Sequence, residues 1–368
     1  MKKLISIILI LSSLVLVGCG ENEYPPVEST EQERSVVMTM TVGGTEYEVN
    51  YELYRALFLT FKSEVDGGDA SVWSGDNRDK YIEQINSIII PKIADIYATL
   101  HTAKETGFDF NSKEVEEKIH EFIDESVNGG SHDGTSIEGY GSYDAFLSAL
   151  RDMGINYAVQ IILYKYAIAQ DVIDKYYIGD FDEDTLNPSS QPGELKYTEA
   201  DVLAFYKSGE CVRVIRAFMQ SGVFDEARAN KIKAKIEGAK DGGEGAVATV
   251  IIQNTATAPA DVIKGVLIGR HSLNSNYYSK MTESAFSLDV GEVSDVIYIS
   301  TGYESGYFIM YRAEKSDEYF EENYADVVAA YLDHTVGEII SNATDELIES
   351  VKFKKAYDSI IHSEISMD

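Results

Sequence analysis

Six histidines are the first residues to ask for chemistry, and they fall at His101, His120, His132, His271, His334 and His362, scattered along 368 residues. A zinc site needs ligands at short fixed spacings, and none of these has that spacing, so no metal site is expected from them. Asp180, Asp182 and Asp184 begin like a calcium loop, but Thr185 stands where the sharp turn needs Gly, and Gln191 where a bidentate Glu is required. An EF-hand is thereby excluded, leaving a solvated turn. No Gly-x-Ser-x-Gly elbow and no phosphate-binding loop occurs, so neither serine hydrolysis nor nucleotide chemistry has a carrier. No cofactor is expected. The two cysteines, Cys19 and Cys211, are too few for a disulfide scaffold, and stability has to come from burial.

Composition narrows the partners. The chain carries 31 Lys and Arg against 62 Asp and Glu, a formal net charge of −31. Phosphate-backbone binding depends on Lys and Arg displacing counterions, so a nucleic-acid partner is not expected. The same charge keeps the chain soluble and would steer basic segments toward it, or it is only a solvated surface. The length allows two domains, each with its own core.

The N-terminus reads as a targeting segment. Lys2 and Lys3 precede an apolar run from Leu4 to Val17, too short for a comfortable membrane span. The run ends in Leu16-Val17-Gly18-Cys19, which resembles the bacterial lipobox. That resemblance implies cleavage after residue 18, a lipid on the Cys19 thiol, and a membrane-anchored protein on the extracytoplasmic face of a bacterium. An uncleaved anchor helix is the alternative, with the same sidedness. Cys211 is then left alone, as a small apolar core residue. Residues 19–35, with Pro25-Pro26 and a row of acids, read as a flexible tether.

From Val36 the elements begin. Val36 to Val42 and Thr45 to Val49 around Gly43-Gly44 predict a hairpin, and Asn50 is placed to cap the helix that carries Leu53, Tyr54, Leu57, Phe58 and Phe61. A second helix runs from about Arg78 to Thr106, where Pro91 predicts a kink or a split. Further helices are predicted from Asn111 to Ile123, Tyr143 to Asp152 and Tyr157 to Tyr177, with polar loops at 128–141 and 179–195. Thr198 to Asp201 reads as a capping box. Most of the tyrosines on these helices are expected in the core or lying along the surface, not as displayed client contacts.

Beyond Cys211 the periodicity changes. Val212 to Met219 reads as a strand, Phe224 to Ile236 as an amphipathic helix, and Ala246 to Ile252 as an apolar run of undecided type. Gly265 to Gly269 is a loop or strand, Met281 to Leu288 a short helix, and Val296 to Ser300 with Tyr307 to Tyr311 a terminal hairpin. From Asp317 the chain returns to helix, with Val327, Val328, Leu332, Val336 and Ile340 on one face.

The segment 206–316 resembles a parvulin-type (PpiC) peptidyl-prolyl isomerase domain, chiefly through Ala285-Phe286-Ser287-Leu288-Asp289-Val290-Gly291-Glu292-Val293-Ser294. Thr301-Gly302-Tyr303 and Gly306 to Met310 are similar to the family's closing hairpin, and Gly265 to Gly269 to a worn form of its Gly-rich loop. With helices before and after, the chain resembles the SurA and PrsA class of extracytoplasmic foldases. The resemblance implies an α+β fold: a helical chaperone-like domain at 36–205, a parvulin-like domain inserted at 206–316, and C-terminal helices at 317–368 packing back on the first.

The resemblance also marks what is missing. The family's two histidines, in the first and last strands, fall here on Arg216 and Phe308. Its proline pocket falls on Tyr277, Tyr278, Met281 and Phe286, which core packing would explain equally well. Rotation about an X-Pro bond faces a barrier of about 18 to 20 kcal/mol and transfers no proton, so loss of the histidines does not by itself abolish catalysis. Three functions stay open: a chaperone for unfolded or nascent secreted polypeptides with a degenerate isomerase module, an active isomerase, and a surface ligand-binding lipoprotein.

Overall fold

The computed structural model describes residues 24–132, 135–182, 187–255, 257–271, 275–300 and 305–366. In chain order the elements are β1 Val36–Val42, β2 Thr45–Asn50, α1 Tyr51–Asp66, α2 Arg78–Glu105, α3 Lys113–Asn128, β3 Gly130–His132, β4 Thr135–Ile137, α4 Tyr143–Asp152 and α5 Tyr157–Tyr177. There follow β5 Gly179–Asp182, β6 Asn187–Pro192, α6 Glu199–Lys207, β7 Cys211–Gln220, α7 Glu226–Ala239, α8 Gly243–Asn254, α9 Pro259–Lys264 and β8 Val266–Gly269. The last are α10 Ser275–Ser287, β9 Ile297–Ser300, β10 Ser305–Ala313, α11 Asp317–Glu322, α12 Tyr324–Glu349, β11 Lys352–Phe353 and α13 Lys355–Asp358. The fold is α+β, mostly helical with small antiparallel sheets.

Contacts divide the chain into two compact units, residues 1–173 with 340–368, and residues 174–339. These bounds differ from the 206 and 316 read from the sequence. The reason is local packing: Val202, Phe205 and Tyr206 share one buried cluster with Cys211, Tyr319, Val327, Val328 and Leu332, so the flanking helices on both sides belong with β7.

In the first unit, Gly43 and Gly44 take left-handed backbone angles of 55° and 77°, which lets Val42 pair directly with Thr45 across a two-residue turn. The C-terminal segment packs in the same unit. β11 pairs with β1 through Met38 and Phe353, and the Lys354 N–H donates to the Val37 carbonyl at 2.9 Å. Ser350 Oγ accepts from the Thr41 N–H at 2.6 Å and donates to the Thr41 carbonyl at 2.9 Å. Tyr54, buried on α1, meets His362 Nε2 at 3.0 Å. Below it Phe58 packs edge-on to Trp73, ring centroids 4.8 Å apart, and the Trp73 indole donates to Asp66 Oδ2 at 2.7 Å.

Two local expectations are corrected. Asn50 occupies the first cap but makes no side-chain cap bond. Of the kink or split expected at Pro91, the split does not occur: α2 runs from Arg78 to Glu105, with Ile85, Ile89, Ile93 and Ala94 all buried on either side. Burial of that stripe outweighs the one backbone hydrogen bond a proline removes. Ser112, by contrast, caps α3, and the Thr198–Asp201 capping box opens α6 as its spacing predicts.

In the second unit the main sheet is antiparallel with order β8-β7-β10-β9. Alternate residues of β7 face opposite sides. Ile215, Ala217 and Met219 pack with Ile309, Tyr311 and Ala313 under α7, α8 and α9. Val212 and Val214 pack with Phe308 and Met310 under α10. The undecided run at 246–252 is helix α8, because Val247 and Ile251, one turn apart, both reach that first core.

Candidate functional site

The α10 side of the sheet is where the sequence placed its site. Register sets Arg216 opposite Met310 and Phe218 opposite Phe308, so Arg216 and Phe308 are diagonal neighbours on one face. Phe308 is buried at 2 % exposure, and its ring lies 4.8 Å from that of Phe218. Arg216 is half-buried on this face.

The pocket residues come only partly together. Met281 is buried in the same cluster as Phe308, and Phe286 packs against that cluster, half-buried. Both sit on α10, five residues apart. Tyr277 and Tyr278 belong to α10, but their side chains lie outside the described residues, as does Cys19. Ala285 and Met310 belong to the same cluster, with Val212, Val214 and Ile299, and Phe218 packs against it; none of these was named as a pocket residue from the sequence. The period-two alternation from Val212 to Phe218 held that signal.

The Gly-Glu-Val-Ser segment has a structural task. The Gly291 N–H donates to the Arg312 carbonyl at 2.8 Å, and the Arg312 N–H donates to the Glu292 carbonyl at 2.9 Å. The Ser294 N–H donates to the Met310 carbonyl at 2.8 Å, while its hydroxyl accepts from the Met310 N–H at 2.9 Å. Gly291, at φ 89°, adopts a backbone conformation that L side chains rarely take. The segment thus laces the end of α10 to β10 and fixes the helix over the face bearing Arg216 and Phe308.

Arg213, on the other side of β7, has a different environment. Its guanidinium is buried, pairs with Glu244 at 2.8 Å, donates to the carbonyls of Lys264 and Glu314, and lies 4.2 Å over the Tyr319 ring. It ties β7 to α8, α9 and α11. Gly265 must be glycine here, since a Cβ would come within 2.9 Å of the Val214 carbonyl.

Among the described residues, the titratable groups at and around Cys211 lie in the following settings. Cys211 is fully buried, and desolvation pushes its thiol up to about 11, far from a reactive thiolate. Its neighbour Lys315 donates instead to the Ser208 and Cys211 carbonyls. His334 is buried beside Phe205, accepts at Nδ1 from the His271 N–H at 3.3 Å, and is held neutral by burial. Among the described residues there is no cluster of three or more potential metal ligands, and no helix is long and apolar enough to cross a membrane.

No protein-family model and no curated protein matches the chain. Among solved structures it is similar to the foldase protein PrsA from Streptococcus pneumoniae str. Canada MDR_19A, at 14% identity over 85% of this chain and 95% of that one, with a TM-score of 0.25. PrsA from Bacillus subtilis follows at 13% identity over 74% and 87%, TM-score 0.23. The foldase protein PrsA from Lactococcus lactis gives 15% identity over 90% and 99%, TM-score 0.22. At such scores the function has to be argued from the chain's own residues.

Proposed function

We propose that the protein is an extracytoplasmic chaperone for secreted polypeptides, anchored by a lipid on Cys19, whose parvulin-like module at 206–316 no longer depends on the family's histidine chemistry. The observation that carries this is the α10 face. It keeps an apolar floor of Phe218, Phe308 and Met310 with Met281 against it, while the two histidine positions hold an arginine and a packed phenylalanine.

An isomerase needs an apolar seat for the proline ring and polar groups that favour the twisted amide over the planar one. The seat has its counterpart in Met281 and Phe286. The histidine of the last strand does not: Phe308 offers no hydrogen bond, and its ring packs against Phe218. The half-buried Phe218 and Phe286 are the apolar groups of this face open to an extended client segment, and neither supplies a group that would accelerate rotation. The strongly negative surface favours clients with basic flanks through steering, and that preference should weaken as salt rises.

Light scattering of an aggregating unfolded test protein measures the chaperone function. Suppression at stoichiometric amounts is expected. No suppression at several-fold excess would count against it and favour a ligand-binding lipoprotein.

A further inference from the structure

In a chain with twice as many acids as bases, the α10 side of the β7/β10 pair collects cations. Arg216 and Arg312 both project there, opposite Met310 and Val214 respectively. Arg312 Nη1 donates to the Ala285 carbonyl at 2.8 Å, and Asp289 acts on it through space. Its Nε is buried without a partner among the described residues. Arg270 lies 4.3 Å over the Phe286 ring, already paired with Glu210 at 3.0 Å.

Arg216 differs from both. It is half-buried, and among the described residues no carboxylate, carbonyl or hydroxyl bonds its guanidinium. Arg213, three residues earlier and on the opposite side, shows how this chain satisfies a buried guanidinium when it does so internally. A partly desolvated guanidinium retains a planar fork of donors, which a carboxylate meets with two parallel bonds. Two residues along the same strand face, the half-buried Phe218 ring offers an apolar contact at the spacing of alternate residues in an extended peptide.

We propose that this face recognises an extended client segment in which a carboxylate side chain and an apolar one lie two residues apart, Arg216 taking the carboxylate and Phe218 the apolar group. The inference rests on the client-binding function proposed above and names its specificity. The net charge of −31 opposes any strongly anionic ligand, so the acidic residue must sit between neutral or basic flanks.

Two labelled peptides test it, Lys-Ala-Glu-Ala-Phe-Lys and the same peptide with Gln for Glu, titrated against the purified protein by fluorescence anisotropy. Wild type should bind the Glu peptide about tenfold more tightly, the size of one charge-assisted contact. Arg216→Gln should erase the difference, and Arg216→Lys should retain part of it, with circular dichroism confirming that both variants fold. Equal binding of the two peptides by wild type, or a preference for Glu that survives Arg216→Gln, overturns the site. If neither peptide binds while client aggregation is still suppressed, the carboxylate site fails and the chaperone function stands. If suppression is absent as well, both fail.

Discussion

Phe308 on β10 stands directly opposite Phe218 on β7, their ring centroids 4.8 Å apart and tilted by 35°, at a position where the parvulin resemblance implies a histidine. The pair makes this part of the sheet face core. Phe308 is almost fully buried, and Gly306 beside it must stay small, because a Cβ there would come within 2.5 Å of the Phe218 ring.

Phe308→Ala should therefore destabilise the fold by about 3 kcal/mol, the loss expected when a buried aromatic leaves a cavity. Urea denaturation reads this as a lower midpoint at unchanged slope. A loss below about 1 kcal/mol would mean that the ring is not packed as described.

The clusters at the edge of β7 make a prediction about boundaries. Val202, Phe205 and Tyr206 are buried against Val327, Val328 and Leu332, Lys264 pairs with Asp326 at 2.5 Å, and Arg213 stacks on Tyr319. A fragment of 195–335 should melt cooperatively and well above one of 206–316, which lacks those partners. Equal melting temperatures would favour the sequence-derived bounds of 206 and 316.

Acid should weaken the first unit through His362. Burial and the nearby Arg78 charge lower its folded-state pKa from 6.5 to about 4, while Tyr54 holds the ring in place. Below 6.5 the unfolded chain takes up a proton that the folded chain refuses. The His362 contribution is thus fully present above 6.5 and is lost progressively as pH falls toward 4. Linkage sets its ceiling at about 3 kcal/mol. Thermal melts of wild type and His362→Gln between pH 7 and pH 4 should converge as pH falls, and parallel curves would contradict the assignment.

Cys211 should be silent in the native state. In protein purified without Cys19 it is the sole thiol, and with its titration pushed up to about 11 and no exposed surface it should resist a thiol reagent at pH 8 until denaturant is added. Prompt native labelling would show that the strand opens locally.

The legible part of the fold was the part written in periodicity. The Gly43-Gly44 hairpin, the Thr198 capping box and the strand at Val212 to Met219 are local signals, and the structure reproduces each. Pro91 does not split its helix because propensity is local while burial of Ile85, Ile89 and Ile93 is tertiary. β11 could not be read at all: two residues, Lys352 and Phe353, become a strand only because β1 offers them an edge. At the site, the residue types on α10 and at Arg216 and Phe308 were visible in the sequence. That Phe218 and Met310 share their face required the register.

The central claim is a client-holding protein that has lost isomerase catalysis, and the refolding rate of a proline-limited test protein addresses it most directly. Added in catalytic amounts, the protein should leave the slow phase unchanged, while at stoichiometric amounts it raises the refolded yield by holding the unfolded chain. Acceleration of the slow phase at catalytic amounts would contradict the account, showing that a face carrying Arg216 and Phe308 still lowers the barrier.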